Sequence, residues 1–515
     1  MSQLNILFLQ LDQLPASALK AYGNAVSVTP TIDALAARSA TFDHAYCNFP
    51  VCSPSRASMM TGRLASHIGS YDNAAELAAT TPTLAHYLRA AGYQTALAGK
   101  MHFIGPDPLH GFEERLTPEI YSADLMTLPD WSDPSVDEFA SDASEALEKA
   151  GTAPRTVQMD YDDEVFAAAR QKIFDLARSD DTRPFFLTAS FTHPHDPYIC
   201  QPDDWDLYAG VEIDKPHIAR APKEGRDTHT SRIYDHYNLD SSKITPDLVE
   251  NARRAFYGSL SYADRLLGGL LDALQSAGMA DNTIVILASD HGDMLGERGM
   301  WFKKVFFDNA VRIPLMISYP GIQPHRVADV VSLVDLLPTL LDIAGTRAVG
   351  QLDGHSLLPF VLGDASEHPG IACAEITCEG VPEPVVMVRT GVHKLIFSAE
   401  AEPLLYDLVS DPFETQNLAA DPEYGEVLNT LVAHVEATWG SLPELKTRIL
   451  ESQKIRAFVA DALSHGKFHS WDSHDPAGGG ERYLRRGKSY NAWNYSGLDA
   501  FGSKPPSGPK LDESA

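Results

Sequence analysis

Residues 5–11 form a near-continuous apolar run, and its length and polar flanks predict a buried strand. Residues 31–40 (TIDALAARSA) and 83–91 carry apolar positions at helical spacing, and 94–98 reads as the next strand. Residues 185–190 and 283–289 (TIVILAS) are two more buried-strand runs, the second preceded by a helical stretch at 262–277. Such alternation predicts an α/β fold, a mostly parallel sheet flanked by helices. No internal repeat interrupts it. Residues 122–156 are acidic and poorly periodic, with Pro129 and Pro134, and read as a surface insertion. Composition shifts around 363–370, and shorter strands at 385–389 and 394–397 follow, which predicts a smaller α+β domain. From about residue 465 the pattern dissolves into a Gly-rich, aromatic-rich tail suited to docking on a neighbour. The expected division is 1–370, 371–464 and 465–515.

Composition narrows the functional classes. With 515 residues, 44% hydrophobic and 22% charged, the chain reads as soluble and globular with a large core. No run approaches the roughly 20 apolar residues that span a bilayer. The first residues, MSQLNILFLQLDQ, show neither a basic leader nor a small-residue cleavage site. Five cysteines, Cys47, Cys52, Cys200, Cys373 and Cys378, suit a reducing compartment, so a cytoplasmic location is expected. A net charge of −29, from 41 Lys+Arg against 70 Asp+Glu, argues against nucleic-acid and anionic-membrane partners. An acidic protein that handles an anion must also gather positive charge locally.

The segment Cys52-Ser53-Pro54-Ser55-Arg56, followed by Met60-Thr61-Gly62-Arg63, concentrates the chemistry. An isolated cysteine before a helix starting near Pro54 is ordinarily a packed core residue. The whole pattern, however, resembles the C-x-P-S-R and T-G-R signature of type I sulfatases, members of the alkaline phosphatase superfamily. The resemblance implies that a formylglycine-generating enzyme oxidises Cys52 to formylglycine. One hydroxyl of the aldehyde hydrate attacks sulfur, and proton loss from the other then expels sulfate, which a thiol cannot do. Arg56, one helical turn on, is in position to steady the hydrate.

Asp12 and Asp290 each directly follow an apolar strand, so both fall at the carboxyl edge of an open α/β sheet, where binding crevices form. The resemblance assigns Asp12, Gln13, Asp290, His291 and residue 52 to a divalent cation. Amide and imidazole ligands beside two carboxylates shift the expectation from Ca²⁺ towards Mn²⁺ or Mg²⁺. Gly99-Lys100-Met101-His102, Thr192-His193-Pro194-His195-Asp196-Pro197 and Trp301-Phe302-Lys303-Lys304 supply local positive charge. By the same resemblance Lys100 and His102 hold the sulfuryl group, His102 acting as base, and His195 with Lys303 serves the leaving-group oxygen. His193 reads equally as a support for the site or as plain packing.

The similarity covers nearly the whole chain and tightens towards the choline sulfatases in Tyr71-Asp72-Asn73-Ala74-Ala75-Glu76, in GKMHFIGPDPLHGFEERL (99–116), in SFTHPHDPY (190–198) and in GERGMWF (296–302). Trp471-Asp472 and Glu481-Arg482-Tyr483 resemble that subfamily's tail, which implies a homo-oligomer, dimer or tetramer. The likeness makes Asn73, His193 and Glu379 substrate-binding candidates, Glu379 opposite a cationic head group. The chain departs from the subfamily between Ser122 and Arg155, which lacks an expected tryptophan-rich stretch; Trp131, Phe139, Trp493 and Tyr495 are the aromatics left to cover a quaternary ammonium. The expected substrate is thus choline O-sulfate or a related alkyl or aryl sulfate. Two readings compete: a phosphonate monoester or phosphodiester hydrolase on the same framework, and a non-enzymatic sulfate-ester binder. The Gly99–His102 motif argues against the first, and the complete set of reactive residues against the second.

Overall fold

Strand β1 (Asn5–Leu11) sits mid-sheet because both of its faces are apolar: Ile6, Leu7, Phe8, Leu9 and Leu11 are all buried. In the computed structural model, which describes residues 3–125, 128–131, 142–467, 470–472, 483 and 489–495, it joins β2 (Ala40–Tyr46), β3 (Gln94–Gly99), β4 (Glu114–Arg115), β5 (Phe185–Ser190), β6 (Thr283–Ser289), β7 (Arg312–Ile313), β8 (Leu315–Ser318) and β9 (His325–Ser332). Pro134, Phe139, Glu481 and Arg482 lie outside the described residues. The nine strands run in the order β9-β2-β8-β6-β1-β5-β3-β4, with β7 on β2. β1 pairs in parallel with β5 and β6, Leu9 opposite Ala189 and Leu287, and β5 pairs in parallel with β3. Four carboxyl ends therefore finish on one edge, where Asp12, Lys100, Thr192 and Asp290 follow. Only β7 and β8 run antiparallel to their neighbours.

A second, antiparallel sheet, β10 (Ala372–Ile376), β11 (Val385–Arg389), β12 (His393–Ser398) and β13 (Leu404–Asp407), pairs in chain order. Val386, Val388, Leu395 and Leu405 pack on Leu431, Val435, Trp439 and Leu445 of the helices Gly425–Trp439 and Leu442–Ser464. Buried Glu375 ties this layer to the larger one by accepting from Ser66 N (2.7 Å) and Trp439 Nε1 (2.6 Å).

Several local expectations shift. The helix expected at 31–40 is Pro30–Ala36, and Ala40 instead opens β2, whose pairing with β8 and β9 overrides local periodicity. The stretch 262–277 is only the second half of Pro246–Ser276; Gly258, which breaks the pattern, is small because a Cβ there would lie 2.5 Å from Cys200 Sγ. The insertion at 122–156 is core at its far end. Ala143, Ala146, Leu147 and Ala150 are buried, and Gly151–Thr152 pairs with Ile199–Cys200. The described tail residues pack on this chain's own body: Tyr483 meets Tyr161 edge-on and Trp493 is buried.

Candidate active site

Cys52 is the first residue of the helix Cys52–Thr61, every residue of which is buried. Its Sγ lies 3.2 Å from His291 Nε2, 3.7 Å from Lys303 Nζ and 3.9 Å from Asp12 Oδ1. One turn on, Arg56 acts as the hub that joins the strand ends. It donates from Nε to Asp290 Oδ2 (2.7 Å), from Nη2 to Asp12 Oδ2 (3.1 Å), and from Nη1 to Lys100 O and Ser190 Oγ (2.5 and 2.9 Å). Lys100 also donates to Asp12. Burial and the neighbouring Cys52 oppose ionisation of Asp12, but Lys100, His195 and Arg56 prevail and bring its pKa to about 2. Burial likewise resists the Cys52 thiolate, yet Lys100, Lys303 and His291 hold the thiol well below its ordinary range.

Asp12, Cys52, Asp290 and His291 each offer a ligand atom, and these atoms all lie within 4.8 Å of one another. Two hard carboxylate oxygens with one imidazole form a donor set that fits a divalent cation. Gln13, at φ 62°, turns its amide towards the crevice: Oε1 accepts from Lys303 Nζ (2.5 Å), while Nε2 donates to Asp293 (2.6 Å) and Asp196 (3.1 Å).

The turn carrying Lys100 and His102 needs Gly99 before it, since a Cβ there would lie 1.9 Å from Ser190 O. His102 takes φ 59° and is held by Glu119 Oε2, which accepts from the N–H groups of Met101 (2.9 Å) and His102 (2.7 Å). Its ring stacks on Tyr121 with centroids 3.7 Å apart, and Lys100 Nζ lies 4.6 Å from the same ring. Burial lowers the His102 pKa. Across the crevice, His195 Nε2 is 2.6 Å from Lys303 Nζ and its Nδ1 is 3.0 Å from Asp196 Oδ1. Burial and Lys303 push its pKa down, but Asp196 and Asp12 carry it up to about 9. A proton on Nε2 and a full ammonium cannot both face that 2.6 Å contact. The pair therefore shares one proton there, with the imidazole oriented by Asp196.

The structure thus brings Asp12, Gln13, Cys52, Arg56, Lys100, His102, His195, Asp290, His291 and Lys303 into one crevice. Asn73 adjoins it, accepting from Ser53 N at 3.1 Å. His193 faces away, with Nδ1 2.7 Å from Asp162 Oδ2 and its ring against Tyr262. Glu379 is buried; its Oε2 has no hydrogen-bond donor among the described residues and lies 3.8 Å from Lys304 Nζ, which is 5.3 Å from the Tyr237 ring. Trp131 packs on the small-sheet cluster. Sequence reasoning missed Glu119, Tyr121, Gln158, Asp162, Asp196 and Asp293. Asp196 lay inside a quoted motif, and Gln158 and Asp162 are i, i+4 on one helix, but nothing local says what they face.

Residues 4–346 match the sulfatase family, 296–439 the C-terminal region of N-sulphoglucosamine sulphohydrolase, and 447–495 the choline sulfatase C terminus. The chain is 41% identical over 502 residues to a choline-sulfatase of Rhizobium meliloti (strain 1021), covering 93% of this chain and 95% of that one. It is 28% identical to an arylsulfatase of Clostridium perfringens (strain 13 / Type A), covering 83% and 92%. Its fold is similar to the phosphonate monoester hydrolase of Agrobacterium radiobacter, with a TM-score of 0.67 and 25% identity over 87% of this chain and 96% of that one. With the family match spanning most of the length and the crevice at the sheet's carboxyl edge, the chain belongs to the sulfatase family and is a sulfuric ester hydrolase.

Proposed function

We propose that this sulfatase hydrolyses choline O-sulfate or a closely related alkyl sulfate, with residue 52 acting as formylglycine. The observation that carries the reading is the position of Cys52 at a buried helix start, ringed by Lys100, Lys303, His291 and Asp12. A neutral core cysteine has no use for that charge. The aldehyde hydrate supplies one hydroxyl to attack sulfur and a second whose deprotonation expels sulfate. Asp12, Asp290, His291 and residue 52 would hold a divalent cation, Mn²⁺, Mg²⁺ or Ca²⁺, with Gln13 Oε1 completing the group. Such an ion polarises the sulfate oxygens and eases hydroxyl deprotonation.

The remaining steps belong to the chain's own side chains. Arg56 holds the two metal-side carboxylates and fixes the register of the helix that presents residue 52. Lys100 serves the sulfuryl oxygens and Lys303, beside His195 Nε2, the leaving-group oxygen, and both stabilise the charge that gathers there. His102, kept neutral by burial, takes the proton of the second hydroxyl. His195, oriented by Asp196 and sharing a proton with Lys303, protonates the departing alcohol oxygen. Glu379 supports a cationic head group, because its buried Oε2 makes no hydrogen bond among the described residues and faces only the Lys304 ammonium, 3.8 Å away.

We extend the proposal to a formylglycine-generating enzyme as maturation partner, to a cytoplasmic location and to a homo-oligomer built through the tail. No helix among the described residues is long and apolar enough to cross a membrane. Ile455 and Phe458 leave exposed apolar surface on the last long helix.

The test begins with peptide mapping across residue 52, where formylglycine makes the peptide about 18 Da lighter. The kcat/KM values for choline sulfate, a neutral aryl sulfate and a phenylphosphonate ester then follow. Choline sulfate should lead, and Glu379→Gln should weaken it selectively; equal loss on the aryl sulfate would refute the head-group assignment. The second reading, phosphonate monoester hydrolysis, draws on the Agrobacterium radiobacter neighbour and takes over if the phosphonate ester leads.

A further inference from the structure

The described end of the chain reaches the loop that carries His195 through two buried amides. Asn494 and Gln158 are separated by 336 positions, and neither is exposed to solvent. Gln158 is the second residue of the helix Val157–Arg178, where a backbone N–H has no intrahelical acceptor. Asn494 Oδ1 accepts that N–H at 3.0 Å, so its Nδ2 must face Gln158 Oε1, to which it donates at 2.8 Å. Gln158 is thereby left with Nε2 towards the loop, donating to Thr192 O (3.2 Å) and His195 O (3.0 Å). An amide donates only from nitrogen and accepts only at oxygen, so the bond polarity passes from the helix end to the loop with no freedom to flip.

One turn further on, Asp162 holds the other half of the loop by accepting from Thr192 N, Thr192 Oγ1 and His193 N. The Asp162 bonds described here go to Thr192 and His193. The His195 carbonyl takes its bond from this helix through Gln158, and Gln158 depends on Asn494 for its orientation.

We infer that Asn494, acting through Gln158, is a positioning residue that sets His195 at the leaving-group oxygen. The inference rests on the role proposed for His195 above. The decisive variant is Asn494→Asp. It keeps the shape, still accepts the Gln158 N–H, and places its charge favourably at a helix N-terminus. It has no donor for Gln158 Oε1, so the glutamine amide must rotate and turn oxygen towards two carbonyls.

The assay compares an alkyl sulfate with para-nitrophenyl sulfate, whose leaving group needs little protonation. A general acid contributes roughly 10²–10⁴-fold, so its partial misplacement should cost the alkyl sulfate at least about tenfold in kcat and the nitrophenyl ester less than about threefold. Gln158→Met, which preserves volume and removes the amide, should give the same split and carries the test if Asn494→Asp does not fold. Equal losses on both esters, or no loss on either, overturn the inference. An aldehyde-bearing parent enzyme inactive on both sulfate esters would instead sink the functional reading, and this inference with it.

Discussion

Replacing Glu119 with glutamine removes a single charge from beneath the Lys100–His102 turn. The Glu119 carboxylate accepts four donors: Met101 N (2.9 Å), His102 N (2.7 Å) and Arg115 Nη2 (2.8 Å) at Oε2, and Ile120 N (2.9 Å) at Oε1. A carboxamide must point its NH₂ group at one of them. Although burial raises the Glu119 pKa, Arg115, His102 and the two N–H groups pull it from 4.5 to about 2. At about 1.4 kcal/mol for each tenfold change in the ionisation constant, that lowering makes the ionised form worth about 3 kcal/mol to the folded state. The sign follows from the lowered pKa: the contribution is complete above about pH 5 and is lost as pH falls from 4.5 towards 2. Urea unfolding at pH 7, followed by tryptophan fluorescence, should show Glu119→Gln destabilised by about 3 kcal/mol, with the gap from the parent narrowing below pH 4.5. Activity should fall with it, because the positive φ of His102 is held by these bonds. A destabilisation under about 1 kcal/mol at pH 7, or a gap that stays constant down to pH 3, would refute the reasoning.

Three further outcomes are expected. Asp72→Asn removes the charge and one of the two 2.7 Å bonds from Arg456, which pin the last long helix to the loop bearing Asn73; leaving the buried guanidinium without its counter-charge costs about 3–5 kcal/mol, measurable as a lower urea midpoint. Lys303→Met leaves His195, Gln13 and residue 52 without their shared cation, and kcat should fall by about 10²–10³-fold with the fold intact by circular dichroism. Dialysis against a chelator should abolish turnover, and a divalent cation should restore it; full activity in the metal-free sample would remove the role assigned to Asp12, Asp290 and His291.

The sequence by itself determined the parallel centre of the sheet and which residues gather at its carboxyl edge. Asn5–Leu11, Phe185–Ser190 and Thr283–Ser289 were legible as strands because a strand buried on both faces is apolar at every position. Asp12, Lys100 and Asp290 were legible as neighbours because parallel strands all end on one edge, and Cys52 and Arg56 because the motif is contiguous. The tertiary structure decided what holds these groups in place. Glu119 reaches back to the Met101 and His102 amides, Arg456 crosses from the last long helix to Asp72, and Asn494 bonds Gln158 across 336 positions. Each is an ordinary polar residue in its own stretch of sequence. Its importance comes from burial and from the one donor or acceptor it meets, and those are set only when distant segments pack together. The misread segments share this cause: the alanines at 143–150 lay hidden among acidic neighbours, and Ala40 left its helix for partners more than 270 residues away.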